Sequence, residues 1–210
     1  MNLKDLIVYL NYITLFINVF LYIKSYRKFS IAFKFISIYL VISLIIQLSA
    51  EYIASYKGNN LFLLHYFNIF QFIFLSLFYF KIFTSKSLKK IVLYGLIIMS
   101  LGNILNILFT SDYYYNFNLF EIVLLNIPLI IYSFIFLIRR IDSKNKRFIY
   151  FNSGFFVYTS CSVLLFSAGH ISSEIKTYLW GLNQILYIFY QILIFIDWYK
   201  NFRKKTTLST

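Results

Sequence analysis

Apolar residues in this chain gather into seven long runs, at roughly 6–23, 32–52, 61–80, 91–109, 118–138, 148–168 and 178–196, each bounded by charge, Asn or Gly. A helix that crosses a bilayer needs about 20 mostly apolar residues, and these runs have that length. A transmembrane β-barrel would instead show alternating segments of about 10 residues with frequent turns. Here one Pro (Pro128) and six Gly serve the whole chain. The pattern predicts an all-α membrane protein, a seven-transmembrane-helix bundle in which every helix satisfies its own backbone groups. It reads as a single integral membrane domain over 1–210, ending in a short basic cytoplasmic tail at 199–210.

Composition narrows the class. Hydrophobic residues make up 60% of the chain and charged residues 13%, against about 45–50% and about 25% in an ordinary soluble domain. That excludes a disordered chain, a disulfide scaffold and a water-soluble enzyme. The lone Cys161 falls mid-span and reads as a small packing residue. The first run is not read as a cleaved leader: Met1-Asn2-Leu3-Lys4-Asp5 lacks a net basic start, and no small-x-small site precedes the Lys24–Lys28 cluster.

Charge adds a direction. Of 20 basic residues, 17 fall in four segments: Lys24 to Lys34, Lys81 to Lys90, Arg139 to Arg147 and Lys200 to Lys205. Lys4, Lys57 and Lys176 lie on the alternate connections and the N-terminus. With seven spans these sets face opposite sides, so the positive-inside rule predicts the N-terminus outside and the C-terminus inside. Asp5, Glu51, Asp112, Glu121 and Glu174 fall on or near the outer face, Asp142 and Asp197 on the inner. The net charge of +13 is thus topological, with the lipid bilayer as the partner and no nucleic acid.

An internal repeat is suggested by two alignments. At an offset of 115, Ile7-Val8-x-Leu10-Asn11 meets Ile122-Val123-x-Leu125-Asn126, and at 118, Leu48-Ser49-Ala50 meets Phe166-Ser167-Ala168. Helices 1–3 would then repeat as 5–7 with helix 4 as linker, a 3+1+3 pseudo-repeat of the parallel kind seen in SWEET sugar carriers.

Polar side chains within spans favour the bundle interior or a water-filled cavity. At 100° per residue, Trp180, Asn183, Tyr187, Tyr190 and Gln191 share an arc of about 120° on helix 7. Helix 1 aligns Asn11, Thr14, Asn18 and Tyr22, helix 2 Ser43, Gln47 and Glu51, and helix 3 His65, Asn68 and Gln71. Helix 4 gathers Gly95, Gly102, Asn103 and Asn106, and helix 5 Glu121, Pro128 and Tyr132. Two readings stand side by side: interhelical hydrogen bonds with small residues allowing close approach, or a pocket. Glu51, His65 and Glu121 map to the outer third, with Trp180 and Asn183 at the same level and Tyr187 one turn below. Those six are the candidate ligand-binding residues, suited to a cationic or polyhydroxy ligand; a structural Glu–His hydrogen bond is the alternative for the ionisable ones. The two histidines, His65 and His170, show no HExxH-like spacing, so no metal, cofactor or catalytic set is expected.

Seven helices with the N-terminus outside invite comparison with microbial rhodopsins, but residues 178–196 contain no Lys to carry retinal. SWEET carriers share the span count, yet their proline-marked helices are missing. His65-Tyr66, Asn152-Ser153-Gly154 and Trp180-x-x-Asn183 give the chain a form that resembles uncharacterised seven-span inner-membrane proteins of AT-rich bacteria. That resemblance implies a bacterial inner-membrane location and no particular activity. The leading expectation is a non-enzymatic sensor or receptor-like module with a small-ligand pocket open to the extracytoplasmic side. It would signal through a membrane or cytoplasmic partner, since its connections are too short for an output domain. The alternatives are a small 3+1+3 transporter, marked by polar lining that continues inward at Asn18, Tyr22, Gln191 and Asn152, and a structural subunit of a membrane complex. An intramembrane lipid-acting enzyme using Glu51 or Glu121 with His65 is a further class.

Overall fold

A computed structural model describes residues 3–56, 58–110, 113–140, 143–171 and 176–203. Lys57, Asp112, Asp142, Glu174, Lys204 and Lys205 lie outside the described residues, as do the side chains of Lys4, His170 and Lys176. The described chain is all-helical: α1 Leu3–Ser25, α2 Ile31–Ser55, α3 Leu61–Ile82, α4 Lys86–Phe109, α5 Leu119–Arg140, α6 Ile149–Ile171 and α7 Lys176–Asn201. All seven are long and apolar enough to cross a membrane, which makes this a multi-pass membrane protein. Each helix contains its predicted run to within one residue, and α7 continues past position 196 to carry Asp197, Trp198 and Lys200.

Local chemistry sets the helix ends. Ser30 caps α2, its hydroxyl accepting from the Phe33 N–H at 3.5 Å. Asn118 caps α5, its Oδ1 accepting from the Glu121 N–H at 3.0 Å. Between α2 and α3 the chain turns at Gly58, whose N–H donates to Ile53 O at 3.1 Å. Only residues 83–85 join α3 to α4, so these helices run antiparallel side by side. Before α6 the chain passes through Phe148 at φ 66°, a left-handed conformation uncommon for a bulky residue.

Six helices form a closed ring in the order α1, α2, α3, α5, α6, α7, with α7 returning to α1. The fourth helix stands outside it, in the groove between α3 and α5. Two glycines set the α4–α5 seam. A Cβ on Gly95 would lie 2.1 Å from Tyr132 Oη, and one on Gly102 would lie 3.4 Å from Leu124 Cδ2. Close approach of small residues is how helices associate in lipid, where no hydrophobic drive exists between them. The outward face of α4 is Ile- and Leu-rich and exposed, as lipid requires.

The two ends of the ring are filled differently. At the end bearing the basic segments, aromatic rings from four connections and helices close the interior. Tyr22 stacks on Phe33 at 4.7 Å between centroids, and Phe33, Phe29 and Phe148 surround Phe202 at 4.8, 5.0 and 5.1 Å. Phe78 continues the cluster against Phe148 and Phe151. Asp197 is fully buried beside this plug, with the backbone of Phe148 and Tyr150 against its carboxylate and Asn201 Nδ2 donating at 2.9 Å. The opposite end holds space.

Candidate functional site

At the end away from the basic segments, α2, α3, α5, α6 and α7 enclose a cavity of about 330 Å³. It runs from Leu61 at the start of α3 down to Gln71, ten residues or about 15 Å of helix. A second lobe of about 250 Å³ lies beside it against α1, lined by Asn11, Tyr12, Glu51 and Tyr187. Gln47, Asn60, Tyr158, Asn183 and Gln184 belong to the walls of both lobes, so the two form one chamber.

Helical spacing delivers these side chains. Trp180, Asn183, Gln184 and Tyr187 recur at three and four residues, which places them on one face of α7. Thr159 and Ser162 do the same on α6, as Gln47 and Glu51 do on α2. Carboxamides are set into a wall otherwise built largely of apolar side chains such as Leu61, Leu64, Phe67 and Phe166, and most are held by partners on another helix. Gln71 Nε2 donates to Asn126 Oδ1 at 2.8 Å while Tyr39 Oη donates to Gln71 Oε1 at 3.2 Å. Gln47 Nε2 donates to Tyr187 Oη at 2.8 Å, and Ser162 Oγ to Asn183 Oδ1 at 2.5 Å. Asn11 Nδ2 donates to Gln184 Oε1. These bonds hold polar groups at fixed positions around the space, which is what a small-molecule site needs.

Of the six candidate residues, the structure brings Trp180 and Asn183 to both lobes, and Glu51 and Tyr187 to the second. Glu51 is exposed at the rim, where Tyr12 Oη donates to its Oε2 at 3.3 Å. His65 and Glu121 are not on either wall. They face each other across α3 and α5, with Nδ1 and Oε2 2.5 Å apart and side-chain exposures of 3% and 0%. The Asn116 carbonyl lies 3.2 Å from Nε2 and can only accept, so that nitrogen carries a hydrogen. Asn68 Nδ2 donates to the other carboxylate oxygen at 3.4 Å. This is the geometry of an interhelical tie, with no cavity for a ligand between the two groups.

Sequence reasoning passed over Thr159, Ser162 and Gln184, which line the chamber. The four-residue spacing of Tyr158 and Ser162 on α6 was the available signal, blurred because Ser153, Thr159, Ser160 and Ser167 spread hydroxyls around that helix.

Below the chamber the polar seam continues, but closed. Asn18 Nδ2 donates to both the backbone and side-chain oxygens of Gln191 at 2.8 Å. Tyr79 Oη donates to Asn152 Oδ1 at 2.7 Å, and Ser133 Oγ to the Asn152 carbonyl at 3.1 Å. Asn18, Tyr22, Gln191 and Asn152 are all buried and line none of the cavities described. Among the described residues no three His, Cys, Asp or Glu side chains converge as a metal centre would require.

The fold and its chamber together define a class, a multi-pass helical membrane bundle with a polar cavity at one end. Compared with known proteins, no family model, curated protein or solved structure matches the chain.

Proposed function

We propose that this protein is a receptor-like module of a bacterial inner membrane that binds a small polar solute in the α1–α2–α3–α5–α6–α7 chamber. The N-terminus and the chamber mouth face outward, and the basic segments face the cytoplasm. The observation that carries the proposal is the asymmetry of the interior: preorganised carboxamides and hydroxyls around space at one end, packed aromatic rings at the other. A signal has a path along α7. Trp180, Asn183, Gln184 and Tyr187 touch the chamber, while Asp197, Trp198 and Lys200 of the same helix anchor the basic end against α1 and α6. A ligand that tilts α7 at the mouth therefore moves its other end, where a partner would read it. The test is thermal stability in detergent against panels of sugars, amino acids and amines, repeated with Asn183→Leu and Trp180→Phe. A stabilising compound whose effect both variants abolish supports the site. Panels without any effect, or an effect untouched by either variant, would overturn it.

One observation favours a second reading, a 3+1+3 transporter. The ring order makes α5, α6 and α7 neighbours in the same way as α1, α2 and α3, with α1 against α7 as α5 is against α3, and α4 left outside. Asn11 and Asn126, aligned at the 115-residue offset, each bond to a glutamine across those two equivalent seams. In this reading the closed seam at Asn18–Gln191 opens to the cytoplasm. Uptake of the stabilising compound into proteoliposomes selects the transporter, and binding without uptake selects the receptor.

A further inference from the structure

We infer that the solute is an uncharged polyhydroxylated molecule, a polyol or a monosaccharide, received by two buried polar atoms that the protein itself leaves unpartnered. The inference rests on the chamber being a binding site, and concerns what fits it.

The first argument is charge. No Lys or Arg is among the described residues of either wall, and Glu51 is the one carboxylate, exposed at the rim. His65 and Glu121 are engaged with each other behind Asn68. An anion brought into this chamber would lose its hydration with no cation to meet it, and a cation would find its counter-charge only at the edge. Carboxamides and hydroxyls suit a neutral ligand.

The second argument is hydrogen-bond type. Asn11 is 3% exposed; its amide nitrogen is taken by Gln184, and its Oδ1 has no partner. That oxygen accepts only, so the ligand must donate to it. Thr159 is also 3% exposed, and its Oγ1 has no partner. Ser76, Ser160 and Tyr190 also keep an unpartnered buried hydroxyl, but none of them lines the chamber. Ser37, Ser43, Ser153 and Ser167 all donate to the carbonyl four residues earlier, at 2.8–2.9 Å. Thr159 does not; its hydroxyl, which both donates and accepts, is buried in a residue that lines the larger lobe. A carboxylate or phosphate ester lacking a hydroxyl cannot donate to Asn11, while an ammonium, which can donate to both atoms, is disfavoured by the lack of a counter-charge away from the rim. Hydroxyl groups meet both atoms without a charge. Trp180 and Tyr158 add aromatic surface for the C–H faces that a sugar ring presents. A ligand that meets both Asn11 and Thr159 occupies both lobes, of about 250 and about 330 Å³, within the roughly 300–1,000 Å³ usual for ligand sites.

The experiment uses the full chain in detergent and isothermal titration with four probes: D-glucose, myo-inositol, D-glucuronate and D-glucosamine. The three sugars share a pyranose scaffold and differ in charge. Saturable binding of glucose or inositol, at least tenfold tighter than either charged sugar, is expected. Thr159→Val, nearly isosteric, should weaken that binding at least fivefold with the ligand-free melting temperature unchanged, and Asn11→Leu is the second variant. Equal or tighter binding of a charged sugar overturns the inference, as does unchanged affinity in Thr159→Val. If none of the four binds but choline or an amino acid does, the polyol inference falls and the binding chamber stands. If nothing in the wider panels binds, both fall.

Discussion

Replacing His65 with Leu while leaving Glu121 in place tests the most consequential contact between the two halves of the ring. The pair joins α3 to α5 at 2.5 Å, and exposures of 3% and 0% leave neither group open to water. With the imidazole gone, Glu121 retains the Asn68 amide at 3.4 Å, a weak bond by its length. Removing one member of a buried pair costs about 3–5 kcal/mol, because the other loses its partner of opposite charge. At about 2–4 °C per kcal/mol for a chain of this size, the melting temperature should fall by about 6–20 °C. Glu121→Leu alone should lose a similar amount. The double variant, His65→Leu with Glu121→Leu, should recover most of either loss, since replacing both partners with apolar groups is often close to neutral. Thermal unfolding of the four proteins in one detergent closes the cycle. Single variants that lose less than about 1 kcal/mol, or a double variant that loses the sum of the two, would refute the reasoning that the two groups are a sealed tie. Chamber ligands should bind the folded single variants with unaltered affinity, because neither residue lies on the wall.

Three other expectations follow from the same contacts. Gly95→Ala places a methyl 2.1 Å from Tyr132 Oη, so it should destabilise by about 1–3 kcal/mol, with Tyr132→Phe in the same chain restoring most of the loss on thermal unfolding. Asp197→Leu removes the carboxylate that meets the backbone at the start of α6, so limited proteolysis should cut faster within 143–148, while Asp197→Asn should change the rate far less. With Cys161→Ser as background, a cysteine at Asn59 should react with a membrane-impermeant maleimide in intact cells, and one at Thr84 only after permeabilisation; the reverse pattern inverts the orientation.

Depth along each helix was legible in the sequence, and direction around the ring was not. Long apolar runs ended by charge place every side chain at a level in the membrane, and the 100° rotation per residue sorts the inward from the lipid-facing positions. Asn183, Tyr187 and Gln191 are accordingly inside, and Ile185, Phe189 and Ile192 face out. Which neighbour an inward residue meets depends on ring order, and ring order is a property of packing among helices. Glu51, His65 and Glu121 share a level, yet α3 lies against α5 because α4 is displaced outward. That displacement turns His65 and Glu121 toward one another and leaves Glu51 on the far lobe. The aromatic plug was hidden for a different reason. Phe29, Phe148 and Phe202 fall outside or at the edge of the apolar runs, where a ring normally marks the membrane interface. They are drawn inward because two connections and the end of α7 converge at the basic end over the same gap, and each ring removes the space another would have left to water. The same closure fills the middle of the ring at the basic end, where the remaining space of about 340 Å³ lies off to the side, between the ends of α3 and α5 at Ile82, Phe83, Phe136 and Arg139. At the chamber end Asn and Gln stand among the apolar wall residues, Phe67 and Phe166 included, and carboxamides committed to cross-helix bonds cannot also collapse into the space between them.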